Sequence, residues 1–221
     1  MSFWLYDVIF AVVFTLLVVI FLYARRKNLK REWFLLYLYR TKVGIKFIDW
    51  FAKKFSRILK PMQYIVVLSG YVLMAIVVWF LGKLTWIYMT SPTVAQQLKI
   101  PVLMPLLPYL PELFKIDFLP PFYFTYWILI IAIIAVPHEF AHGIFARLNK
   151  FKIHSTGFGF LGPFLAAFVE PDEKEMAKAK KFPQLVVSAA GTFANVIFAV
   201  IFLLLLWGFF ASSFVPAGVY F

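Results

Sequence analysis

The chain has 221 residues, 63% of them hydrophobic and 14% charged, and its mean hydropathy is +0.87. Soluble domains hold roughly 45–50% apolar residues, so this composition is that of a polytopic membrane protein, and length is no guide to a number of soluble domains. The sequence contains no cysteine, which excludes disulfides and thiolate metal sites; a metal would need His, carboxylate or backbone oxygen.

The net charge of +12 could suggest nucleic acid, but its distribution argues against that partner. Twelve of the 22 Lys and Arg fall between Arg25 and Lys60, and seven more between Arg147 and Lys181. Basic residues gathered in alternate loops are the positive-inside pattern of a membrane protein.

Tyr6 to Ala24 is the first predicted span, about the ~20 residues that a bilayer crossing needs. Arg25, Arg26, Lys27, Lys30 and Arg31 follow it, which puts the N-terminus outside and the 25–61 loop in the cytoplasm. The span lacks a basic flank before it and a small-residue cleavage site after it, so it is not a cleavable signal. Residues 33–60 mix aromatics with cations. Ile45, Ile48, Ala52 and Phe55 stand at helical spacing, so a helix lying along the cytoplasmic headgroups is expected.

Residues 62–89 form the second span, in which Gly70 and Gly82 are expected to allow close packing on a neighbour. Lys83, near its outer end, is expected to snorkel. Residues 91–121 carry seven prolines, too many for a regular helix, and read as a covering loop at the outer interface. Residues 122–148 are the third span. Pro137 within it predicts a kink or broken turn just before His138. The loop 149–184 is cytoplasmic; its Gly-aromatic part predicts a β-hairpin-like segment. Residues 185–211 are the fourth span, carrying Gly191 and the lone polar Asn195. His154 is expected to be solvated or locally hydrogen-bonded, and Glu170 and Asp172 to be surface carboxylates.

The third span ends in His138-Glu139-Phe140-Ala141-His142. Two imidazoles four residues apart on a helix project from one face and can grip one divalent metal, with the intervening glutamate as base for a water. The fifteen residues from Phe122 to Val136 carry no charge, so this equipment is expected inside a membrane. Counting to Arg147 at ~1.5 Å per residue puts it roughly 8–14 Å below the cytoplasmic boundary. Ionisable groups at such depth are costly and point to function.

With these residues in view, the chain resembles the site-2 protease family of intramembrane zinc metalloproteases, its archaeal members in particular. The likeness rests on His138-Glu139-Phe140-Ala141-His142 and on Gly157-Phe158-Gly159-Phe160-Leu161-Gly162-Pro163 after it. It extends to Ala190, Gly191 and Asn195, and to Leu38-Tyr39-Arg40-Thr41-Lys42. The resemblance implies zinc on His138 and His142, Glu139 as catalytic base, and transmembrane proteins as substrates. It also implies substrate binding by Asn195, Gly191 and an edge strand around Phe158 to Phe164, with Phe158, Gly159 and Phe160 in contact.

Two departures from the family pattern are visible. Thr192 stands where the family usually has proline. The family's third zinc ligand is an aspartate before glycine in a later span, and no Asp-Gly pair occurs here. A PDZ-like module and that ligand-bearing span are therefore expected beyond residue 221, and these 221 residues are expected to be inactive by themselves. The expected fold is an all-α polytopic membrane protein: a single transmembrane domain over 1–221, four helices, an interfacial helix and a small hairpin. A non-catalytic scaffold that binds a substrate helix is the rival function. A metal transporter is a further one, though no other span offers the additional ligands it would use.

Overall fold

The computed structural model describes residues 3–26, 29–31, 36–90, 107–113, 121–161 and 164–214. In chain order the elements are α1 (Phe3–Ala24), β1 (Leu29–Arg31), β2 (Leu36–Thr41), α2 (Val43–Lys54), α3 (Ser56–Thr90) and α4 (Leu110–Leu113). They continue with α5 (Phe124–Leu148), β3 (Ile153–Leu161), β4 (Phe164–Pro171), α6 (Glu173–Lys178) and α7 (Lys181–Ser213). Four of these helices, α1, α3, α5 and α7, are long and apolar enough to cross a membrane. The four spans expected from hydropathy are thus all present. Most of the proline-rich 91–121 segment lies outside the described residues.

Helices α3, α5 and α7 share one core, in which Leu59, Val66, Ala141, Phe145, Val186 and Ala190 are buried together. Small residues at this seam let the backbones approach, because lipid gives apolar helices no other reason to associate. Of the two glycines in α3, Gly70 abuts Ala189 of α7, whereas nothing lies within 4 Å of a Cβ at Gly82. The outer faces carry Leu68, Trp79, Leu203 and Trp207, all exposed, as suits surfaces turned to acyl chains.

Residues 33–60 do not form one interfacial helix. Leu36–Thr41 is a strand, α2 covers Val43–Lys54, and Ser56 already begins α3. Leu-Tyr-Leu-Tyr alternation favours a pleated, half-buried surface, and β3 supplies the partner, from Leu36 opposite Leu161 to Thr41 opposite Thr156. Part of the apolar face of α2 packs on the protein, while Val43, Phe47 and Trp50 stay half-exposed or more. Ile48 is fully buried, the Phe47 ring meets Phe140 of α5 at 5.4 Å, and Asp49 accepts from Arg147 Nε at 2.6 Å.

The sheet has four antiparallel strands in the order β1-β2-β3-β4. The expected hairpin is present as β3–β4, and it is joined by two strands from before α2. This placement corrects a second expectation: β3 is paired on both sides, so Phe158 does not lie at an edge. The free edge nearest the motif helix is that of β4. Where β2 crosses β3, a Cβ on Gly157 would lie 2.0 Å from the Tyr39 carbonyl, so no larger residue allows this strand pair.

Both ends of α5 are fixed by identifiable contacts. At its C-terminus Lys150 takes a positive φ of 67°. Phe151 N then donates to Ala146 O and Lys150 N to Arg147 O, each at 2.9 Å, the Schellman pattern. Phe151 and Ala146 are buried in one cluster. At the N-terminus the N-cap is Tyr123, whose side chain makes no cap bond. Asp7 of α1 takes that role from outside: its carboxylate accepts from Phe124 N at 2.9 Å, Thr125 N at 2.8 Å and Thr125 Oγ1 at 2.5 Å. It also accepts from the Tyr109 hydroxyl.

Candidate metal centre

The motif lies in the second half of α5, and the helix runs through Pro137 without a break. The broken turn expected there is absent. Apolar neighbours on α2, α3 and α7 hold the helix in place on several sides.

His138 and His142 sit one turn apart with ring centroids at 4.8 Å. Both face α7 where that helix has Gly191. A Cβ on Gly191 would fall 2.4 Å from His138 Nε2 and 2.4 Å from His142 Nε2. Both nitrogens therefore lie against the Gly191 backbone, an approach that only glycine permits. Zinc takes imidazole nitrogens as ligands, and two of them one turn apart on a helix are a donor pair that fits it.

The other nitrogen of each ring is engaged. His142 Nδ1 lies 2.6 Å from the Val187 carbonyl. A carbonyl only accepts, so the proton is on Nδ1 and the Nε2 lone pair is free for a metal. His138 Nδ1 lies 3.0 Å from the Asn195 side-chain amide. Neither Val187 nor this link to Asn195 was legible in the sequence, because a backbone carbonyl carries no residue signature.

Glu139 points toward the sheet. Its Oε2 accepts from Val169 N on β4 at 3.1 Å, an edge N–H that no strand takes among the described residues. A cavity of about 200 Å³ opens beside it, with Gly157, Phe158, Phe168 and Val169 in its wall. Phe158 is exposed, whereas Phe160 is buried and packs on Phe21 of α1 at 5.7 Å. Gly159 lies between them on β3, opposite Leu38 and Ala166.

The remaining candidates fall outside this centre. His154 Nε2 pairs with Asp172 at 3.0 Å, as a locally bonded histidine should. Glu170 accepts from Arg40 Nη2 at 2.9 Å and from Ser155 Oγ at 2.5 Å, so its carboxylate is directed to the sheet. Among the described residues no group of three or more His, Asp or Glu comes together. Asp7 is the residue that the sequence reading passed over. It is 1% exposed in α1, and a charge inside an apolar span was the signal that could have found it.

No curated protein and no solved structure matches the chain. The four apolar helices are those of a multi-pass membrane protein. Residues 126–217, from the motif helix through α7, match the model of Peptidase family M50, and the resemblance to the site-2 protease family read from the sequence holds over that segment.

Proposed function

We propose that the protein is an intramembrane zinc metallopeptidase that cleaves peptide bonds of transmembrane substrates. The observation that carries this reading is the placement of His138 Nε2 and His142 Nε2 together against Gly191, with Glu139 beside them in an apolar helix. His138 and His142 hold the metal. Catalytic zinc takes three protein ligands, and the described residues supply these two. Zinc bound there supplies Lewis acidity, polarising a carbonyl and lowering the pKa of a water.

Glu139 is the base. The Val169 N–H fixes one carboxylate oxygen, which leaves Oε1 to take a proton from the attacking water and return it to the leaving amide nitrogen. A substrate helix hides its own carbonyls, so it must unwind before cleavage. The extended segment then adds to the free edge of β4 beside Glu139, by main-chain hydrogen bonding. Phe158 lines the cavity next to that edge, and Gly159 and Phe160 support it from β3. Gly191 and Asn195 of α7 lie against the histidines. A second, apolar cavity of about 660 Å³ runs along the motif helix past Phe140, Ile144 and Phe193, a surface suited to the side chains of a membrane segment.

The clustering of Arg and Lys in 25–60 and 147–181 supports a cytoplasmic position for the sheet and for α2, with the N-terminus outside. The partners are then a transmembrane protein substrate and the surrounding lipid.

The test uses the full natural protein in liposomes, loaded with zinc and given a transmembrane reporter. Glu139→Gln is expected to slow cleavage by about 10²–10⁴-fold, the usual weight of a general base. Cleavage at the wild-type rate overturns the assignment.

A further inference from the structure

The two histidines are held differently, and the difference identifies a positioning residue. His142 Nδ1 faces a carbonyl and must carry its proton there. His138 Nδ1 faces the Asn195 amide, which can either donate or accept. With Asn195 Nδ2 at 3.0 Å from His138 Nδ1, the amide donates and the ring proton sits on Nε2. That proton would occupy the ring nitrogen near Gly191 and leave it no lone pair for a cation. Among the described residues Asn195 Oδ1 is buried with no hydrogen-bond partner.

Turning the amide by half a rotation exchanges its two ends without moving another atom. Oδ1 then accepts from His138 Nδ1–H, and Nε2 keeps its lone pair for a metal, as His142 Nε2 already does. One end of the amide is unpartnered in either orientation. The decision therefore falls to the imidazole, where only the turned amide leaves both nitrogens bare.

We infer that Asn195 is a positioning residue for the metal centre, its Oδ1 accepting the His138 Nδ1 proton so that both histidines present Nε2 to one cation. It does for His138 what the Val187 carbonyl does for His142. Both partners lie on α7, so a single helix sets both rings. This inference rests on the metal reading proposed above.

The experiment measures Zn²⁺ affinity of the full chain in detergent by competition with a chelator, together with the His138 tautomer by ¹⁵N–¹H correlation in metal-free protein. Asn195→Asp keeps an acceptor at Nδ1, and its affinity is expected to equal or exceed wild type. Asn195→Leu keeps the size without the acceptor, and a loss of about 10–100-fold is expected, as for outer-shell partners of metal-bound histidine. The tautomer is expected to be Nδ1–H. Wild-type affinity in Asn195→Leu, or equal losses in both variants, overturns the inference. So does an Nε2–H tautomer, which decides the matter even where a variant does not fold. Wild-type protein that takes up no zinc refutes the metal reading instead, and the tautomer still reports on Asn195.

Discussion

Helix α5 carries a polar cluster at each end, and the two are opposites. At its N-terminus the Asp7 carboxylate meets two backbone N–H groups and two hydroxyls, so every donor offered to it is used. At the motif, each imidazole is held through Nδ1, while its Nε2 lies close to the Gly191 backbone. A polar group saturated within the protein fastens the fold, since an unpaired one in hydrocarbon costs several kcal/mol. Imidazoles fixed through one nitrogen keep the other available to a ligand. Burial alone does not separate the two cases; the nitrogen left over does.

The largest effect on this contrast comes from adding a side chain at Gly191. Gly191→Ala puts a methyl 2.4 Å from both Nε2 atoms. It is expected to weaken zinc binding by more than about 100-fold, beyond the range of outer-shell changes, while helix content by circular dichroism is kept. Zinc uptake at the wild-type level would mean that the nitrogens do not share a cation at this point.

Asp7→Ala is the converse experiment. It orphans the first N–H groups of α5 and the Thr125 and Tyr109 hydroxyls, and a loss of about 2–3 kcal/mol in unfolding free energy is expected. Zinc affinity should stay within a few-fold of wild type. A large loss of zinc affinity with unchanged stability would erase the distinction between the two ends.

The polar contacts outside the spans test how far this reasoning reaches. The Arg147–Asp49 pair joins α5 to α2 at 2.6 Å, but its two side chains are 28% and 48% exposed. Its contribution is expected to stay below about 1 kcal/mol, which a double-mutant cycle on Arg147→Met and Asp49→Asn would measure.

The smallest effect is a matter of pH. Asp172 caps α6 through Glu175 N at 2.9 Å. That backbone N–H first, and then His154, hold its carboxyl below the usual aspartate range. A depressed folded pKa stabilises above the unfolded value, ~3.9 for aspartate, and the gain is lost as pH falls through the folded value. Hydrogen exchange at Glu175 N–H should therefore lose protection only below about pH 4. Loss of protection near neutral pH would show that Asp172 is not the cap.

The sequence by itself determined the four spans and the chemistry of the motif, because both are local. Hydropathy over some 20 residues decides whether a segment partitions into lipid. The four-residue spacing of His138 and His142 puts both on one helix face whatever surrounds them. The strand at Leu36–Thr41 was not legible in that way. Its alternation is short, its cations suggested an interfacial helix, and its partner β3 lies more than 100 residues further on.

Only the tertiary structure decided which groups stand behind the motif. Gly191, Val187 and Asn195 reach the two histidines because α7 packs on α5, Val169 reaches Glu139 because β4 ends the sheet beside it, and Asp7 caps a helix 117 residues away in sequence. Such contacts depend on how separate elements meet, and local propensity does not encode that. The motif named the candidate ligands and base; the packing of α7 and β4 against α5 decides what surrounds each of them.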